Sequence, residues 1–131
     1  QREIWLKFLF IASISAMGAL TRSVLGVMRE VPFIRKKLLE TAAEIVEVGK
    51  ALGIDIHDQD IENCFEIIDT IDCDTTMSLQ RDMMENRPSE LENFNGYIVR
   101  QGDRLGIETP VNDFIYYTLR PMEEKVRSEK I

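Results

Sequence analysis

Apolar residues fill almost every side of the stretch from residue 3 to about residue 20, EIWLKFLFIASISAMGAL. A helix that is apolar on most sides belongs in the middle of a bundle rather than on its surface. Ala12, Ser13, Ser15, Ala16, Gly18 and Ala19 are small and let neighbouring helices come close. Thr21 to Glu30 reads as a short helix containing Gly26, and Val31-Pro32 breaks the line. Pro32 then opens a long helix that runs to about Leu52 and ends at Gly53. Its inner stripe is Ile34, Leu38, Ala42, Ile45 or Val46, Gly49 and Leu52. Arg35, Lys36, Glu40, Glu44, Glu47 and Lys50 mark the wet side. Glu40 and Glu44 sit one turn apart with no third ligand beside them, and both are read as surface residues.

Asp58 or Asp60 caps the next helix, which runs to about Asp69 with Ile61, Cys64, Phe65, Ile68 and Ile71 on one face. Ile71-Asp72-Cys73-Asp74 reads as a turn. Met77 to Asn86 forms another helix, capped by Thr75 or Thr76, with Met77, Met83 and Met84 filling gaps in the core. Pro88 stops it. Ser89-Glu90-Leu91-Glu92 fits a capping box. In that arrangement the Ser89 hydroxyl accepts from the Glu92 amide, and the Glu92 carboxylate accepts from the Ser89 amide. The helix so opened is expected to reach about Leu105 and to close at Gly106. Thr109-Pro110 opens the last helix, to about Arg127, with Val111, Phe114, Ile115, Thr118, Leu119 and Met122 facing inward. Pro121 is expected to kink or split it, and residues 127–131 to fray. No alternating strand pattern occurs anywhere. The fold class is therefore all-α, a single helical domain of about six or seven helices.

Length and composition agree with one soluble globular domain: 131 residues, 44% hydrophobic and 30% charged. A net charge of -7 with no gathered basic face disfavours nucleic acid and anionic membrane as partners. The 13-residue apolar run from Phe8 to Leu20 falls short of the roughly 20 residues that span a bilayer. Glu3 and Trp5 before that run, and the lack of a clean cleavage pattern, argue against a signal peptide. Cys64 and Cys73 form no CxxC pair and no zinc spacing. Cys64 lies in an apolar period and reads as a buried thiol, and a reducing compartment fits. The single histidine, His57, reads as a surface turn residue, and no metal site is expected. The first residue is Gln1 rather than Met, so an excised fragment or a processed product is expected. The chain contains no GxGxxG and no Walker loop, so it has no usual means of holding a dinucleotide.

Two separated motifs carry a resemblance. One is Ile4-Trp5-Leu6-Lys7-Phe8-Leu9. The other is the ordered series Thr75-Thr76, Ser78, Gln80-Arg81-Asp82, Asn86-Arg87-Pro88-Ser89-Glu90-Leu91-Glu92, Asn95-Gly96, Gly106-Ile107 and Thr109-Pro110-Val111-Asn112. Together they resemble the C-terminal domain of the ketopantoate reductase (2-dehydropantoate 2-reductase) family over about residues 3 to 120. The resemblance implies the 6-phosphogluconate dehydrogenase C-terminal-like helical fold. It implies a substrate-binding and dimerisation domain whose partner is its own N-terminal Rossmann domain, absent from this chain. NADPH is then held mainly by that missing domain, in the cleft between the two. The implied activity is reduction of a small-molecule 2-oxo acid in the cytoplasm, by a homodimer, as in the step from ketopantoate to pantoate of pantothenate biosynthesis. A 131-residue piece without the Rossmann half is expected to be inactive alone.

The same resemblance assigns residues. Lys7 aligns with the proton donor, although spacing alone would make it an ordinary lysine at a helix rim. Glu90 aligns with the glutamate on the cofactor ribose side, and Ser78 with the substrate-binding serine, with Thr76 as the alternative if the register slips. Ser15 is a second substrate contact. Family members commonly carry asparagines where this chain has Ile11, Ser15 and Leu25. The reaction type is thus better matched than the pocket that reads the substrate. A non-catalytic helical interaction or dimerisation module that kept the fold is the alternative reading.

Overall fold

The computed structural model of the chain describes residues 1–129, and Lys130 and Ile131 lie outside the described residues. These fold into seven α-helices and one 3-10 turn with no strand among the described residues. The helices are α1 (Arg2–Thr21), α2 (Leu25–Glu30), α3 (Pro32–Ala51), α4 (Asp58–Ile68), α5 (Ser78–Met84), α6 (Asn95–Leu105) and α7 (Pro110–Glu129), with the 3-10 turn at Leu91–Asn93.

α1 is the axis of the bundle and packs against α2, α3, α4, α5 and α7. Every residue from Ala12 to Ala19 is buried, as are Trp5 and Leu9. The 13-residue apolar run is only part of it: α1 reaches 20 residues, long and apolar enough by length and composition to cross a bilayer. Here Ala12–Ala19 are covered by the other helices instead, while Glu3, Ile4 and Lys7 face solvent. Close packing depends on the small residues. A Cβ on Gly49 of α3 would lie 3.2 Å from the Trp5 ring and 2.8 Å from Ile56. The aromatic residues at the start of α1 continue outward, with Trp5 and Phe8 stacking on each other, Phe8 on Phe94, and both on Tyr97.

The helix ends follow local chemistry in most places. Pro32 and Pro110 each stand at the first helical position, where the missing N–H costs nothing. Gly53 at φ 81° and Gly106 at φ 71° make the left-handed turns that follow α3 and α6. Other ends differ from expectation. Residues 22–24 are not helical, because Arg22 turns left-handed at φ 55° and α2 begins only at Leu25. His57, not Asp58 or Asp60, caps α4, and the Asp60 carboxylate accepts the His57 amide at 2.8 Å. Met77 precedes α5 with no threonine cap; the Thr76 hydroxyl and carbonyl both accept from Arg81 instead.

The predicted capping box does not form. The Ser89 amide and hydroxyl both turn to Glu123 of α7, and Glu92 accepts from Arg100 and Tyr116. The segment makes a short 3-10 turn, breaks at Phe94, and only then enters α6. α7 is rotated relative to expectation. Its buried stripe is Asn112, Ile115, Tyr116, Leu119, Glu123 and Val126, while Phe114, Thr118 and Met122 are exposed. The helix runs through Pro121 unbroken and stays helical to Glu129. Met84 also faces solvent rather than the core.

Candidate functional site

Successive residues of an α-helix are about 100° apart, so Lys7, Ile11, Ser15 and Gly18 share one face of α1. Lys7 is exposed and has no ion pair or hydrogen bond among the described residues. On one flank α1 meets α4 across a groove of about 400 Å³, lined by Arg2, Leu6, Phe10, Asn63, Cys64 and Ile67, with Lys7 at its rim. The groove wall is mostly apolar. Its polar lining includes an ion pair, in which both Asp60 oxygens accept from Arg2 at 2.7 and 3.0 Å. Chiefly the Arg2 guanidinium, and also the His57 amide, hold the Asp60 carboxyl below its ordinary value against the opposing effect of burial. Burial pushes the Cys64 thiol up to about 11, so it is an inert wall residue rather than a nucleophile.

On the other flank of Lys7, Ile4, Trp5 and Phe8 meet Asn93 and Tyr97. This contact brings the 3-10 turn, and Glu90 just before it, to the end of α1 that carries Lys7. Glu90 is exposed, and one carboxylate oxygen accepts from Asn93 Nδ2 at 2.7 Å. Ser78, the first residue of α5, is exposed. Its helix reaches α1 at Gly18, where a Cβ would strike the Gln80 amide. Gly18 lies roughly 16 Å along the axis from Lys7. Ser15 is apart from these three: it is 1% exposed, and its hydroxyl donates to the Ile11 carbonyl at 2.6 Å. Leu25 is likewise fully enclosed at 1% exposure, so only Ile11 of the two aliphatic replacements is half-exposed near Lys7.

Two carboxylates, half-buried Glu44 and buried Glu123, have partners that the reading of the sequence missed. Glu44 accepts the Val111 and Asn112 amides of α7, each at 2.9 Å, and Asn112 Nδ2 at 2.8 Å. It caps the start of α7 from a different helix. Glu123, 2% exposed, accepts the Ser89 amide at 3.0 Å and the Ser89 hydroxyl, and pairs with Arg127 at 2.6 Å. The i,i+4 spacing of Glu123 and Arg127 was the only local signal of that pair.

The model of the family described as "Ketopantoate reductase PanE/ApbA C terminal" matches residues 1–123. The chain belongs to this family. It is 29% identical over 124 residues to a 2-dehydropantoate 2-reductase of Pyrobaculum aerophilum, a match covering 95% of this chain and 44% of that protein. A 2-dehydropantoate 2-reductase of Vibrio cholerae is 24% identical over 125 residues, covering 95% and 42%. Among solved structures, the dimeric ketopantoate reductase of Staphylococcus aureus superposes with a TM-score of 0.90 at 26% identity, covering 96% of this chain and 44% of that one. The chain thus spans under half the length of the relatives it matches.

Proposed function

We propose that this chain is the substrate-binding half of an NADPH-dependent 2-oxoacid reductase, in which Lys7 protonates the carbonyl oxygen. Membership of the ketopantoate reductase C-terminal family supports the reaction class. The observation that carries the assignment of Lys7 is its exposed place at the rim of an apolar groove on α1. Lys36 and Lys125 are also exposed without a partner among the described residues, so what sets Lys7 apart is its place beside the groove within the matched motif.

The donor set of this chain fits a contributing rather than a principal role toward NADPH. Glu90 offers an exposed carboxylate with an oxygen able to accept a ribose hydroxyl. No glycine-rich phosphate turn is present to hold a pyrophosphate, so that task falls to an N-terminal Rossmann domain. When bound, NADPH supplies the hydride taken up by the carbonyl carbon. The Lys7 ammonium stabilises the charge that grows on the carbonyl oxygen, gives it a proton, and is left as an amine that water reprotonates. The family motif alone assigns Ser78 to the substrate carboxylate, since α5 meets α1 at Gly18, roughly 16 Å along the axis from Lys7. Ser15 acts from below the surface by fixing the Ile11 carbonyl, and can donate to substrate only by giving up that bond. The working protein is proposed to be a cytoplasmic homodimer.

Ile11 cannot hydrogen-bond the hydroxyl of ketopantoate. A hydroxyl left there without a partner costs roughly 1–3 kcal/mol, a tenfold to hundredfold preference for a more apolar 2-oxo acid. Steady-state rates of the full-length protein and of Lys7→Ala, on ketopantoate and on its analogue lacking the hydroxyl, test both points. The variant should lose about 100- to 1000-fold in turnover, with KM changed much less. An active Lys7→Ala refutes the proton-donor role, and equal efficiency on the two substrates refutes the apolar pocket. A full-length protein that turns over no 2-oxo acid would return the chain to a helical interaction module.

A further inference from the structure

We infer that Glu123 is a positioning residue for Glu90, acting through a clamp that α7 closes on Ser89. The inference rests on the proposed role of Glu90 toward the cofactor. Three polar groups of Ser89 are taken by α7. Its amide donates to both Glu123 oxygens at 3.0 and 3.2 Å, its hydroxyl donates to Oε1, and its carbonyl accepts from Arg127 at 2.9 Å. Arg127 also pairs with Glu123 through Nε, so the carboxylate is oriented from one side and loaded from the other. The Ser89 hydroxyl in turn accepts the Leu91 amide at 3.3 Å.

Helix α5 ends at Met84 and regular structure resumes at Leu91. Between them, Arg87, Pro88 and Glu90 are exposed, while Ser89 is 3% exposed. Glu90 therefore leaves the surface directly from the clamped residue. Its carbonyl accepts the Asn93 and Phe94 amides, both at 3.0 Å, which ties its backbone to the turn that meets Phe8. A carboxylate 2% exposed, satisfied mainly by the backbone and hydroxyl of one loop residue, adds order to that loop. Bulk packing does not require a charge there. Leu91, fully buried, anchors the loop on its other side and is the competing explanation for where Glu90 points.

The test uses the full-length protein, unmodified and as Glu90→Ala, Glu123→Gln, Glu123→Ala and Arg127→Ala. The first readout is the NADPH dissociation constant from fluorescence titration. The second is amide hydrogen exchange at Asn93 and Phe94 without ligand. Glu123→Gln should weaken NADPH binding on the order of tenfold and speed exchange at both amides, with a loss of stability no smaller than that of Glu44→Gln. In the Glu90→Ala background the same change should add nothing, because the clamp then has no group to position. If Glu90→Ala weakens NADPH binding but Glu123→Gln leaves it within twofold, or adds its full effect in the double variant, the inference is overturned and the proposed function stands. If Glu90→Ala itself leaves NADPH binding unchanged, the role of Glu90 falls and the inference with it. Should the Glu123 variants not fold, Arg127→Ala decides, since its side chain is 53% exposed. A threefold or greater loss of NADPH affinity supports the clamp, and an unchanged constant refutes it.

Discussion

Removing the Glu44 carboxylate should be among the most damaging single changes to this fold, although the residue lies on what reads as the wet side of α3. Its two oxygens accept the amides of Val111 and Asn112 and the side-chain amide of Asn112, all at 2.8–2.9 Å. These amides belong to the first turn of α7, where helix geometry leaves N–H groups without internal partners. Asn112 is fully buried, so in Glu44→Ala its backbone amide loses its acceptor, while its side-chain amide keeps only the Thr41 carbonyl at 3.4 Å. One stranded buried donor costs about 1–3 kcal/mol. The lost interaction of a negative charge with the positive helix end adds about 0.3–1 kcal/mol. Val111 is half-buried and regains water, so its share is small. The expected loss is about 3 kcal/mol, against a total stability of order 5–15 kcal/mol for a domain of this size. That corresponds to a fall in melting temperature of about 10 °C. Glu44→Gln keeps one acceptor oxygen and should lose about half as much.

Urea denaturation of the chain, followed by circular dichroism, measures this directly, with an unchanged slope as the sign that the folded state has not been replaced. Glu40, one turn earlier, is the control. It pairs with Lys37 at the surface at 2.9 Å, and Glu40→Ala should leave the midpoint where it is. A loss below about 1 kcal/mol for Glu44→Ala, or equal effects at the two positions, would refute the capping argument.

Two further outcomes are expected. The Asp60 carboxyl is held below its ordinary value chiefly by Arg2, so its stabilising contribution is present above about pH 4 and is lost as pH falls through the folded-state value; acid titration of Asp60→Asn should therefore show lower stability at neutral pH and a shallower decline below pH 4 than the parent. Cys73 is exposed while the Cys64 thiol is buried and raised to about 11, so a thiol reagent at pH 8 should modify one cysteine quickly and the second only in denaturant; two equally fast thiols would contradict the packing of α4 on α1.

The parts of this fold that were legible in its sequence are those decided by neighbours along the chain. Pro32, Pro110, Gly53 and Gly106 mark helix ends through their own backbone preferences. The apolar, small-residue character of α1 marks it as the axis, because no rotation of such a helix gives it a wet face. Membership of the family was legible from the spaced motifs around Lys7 and Glu90 for a similar reason: each is a short run of residue identities. Two of the failures, the face of α7 and the capping box, have one cause. A hydrophobic stripe counts apolar residues, but the inner face of α7 is set by Asn112 and Glu123, which are buried because Glu44 and Ser89 receive them. Of the six residues expected inside, Ile115 and Leu119 are buried and Val111 half-buried, while Phe114, Thr118 and Met122 lie on the outer side, so the stripe is turned by part of a turn. The capping box at Ser89 failed at the same contact seen from its other side. A serine three residues before a glutamate is satisfied locally in the absence of competition, and here a carboxylate 34 positions away competes and wins.

Pro121 shows the converse, a local rule that the surroundings relax. Proline at this position removes the bond to the Tyr117 carbonyl and crowds it. In a buried turn that carbonyl would be stranded and the helix would break. Tyr117 is 51% exposed, on the outer face of α7, so its carbonyl can turn to water. The inner face keeps Leu119, Glu123 and Val126 in register, and it is this continuity that carries Glu123 to Ser89. Pro121 is therefore tolerated because it falls on the solvent side of a helix whose far end must still reach the loop bearing Glu90. The same proline moved to position 119, where Leu119 is fully buried, would break α7 before Glu123 and release that loop.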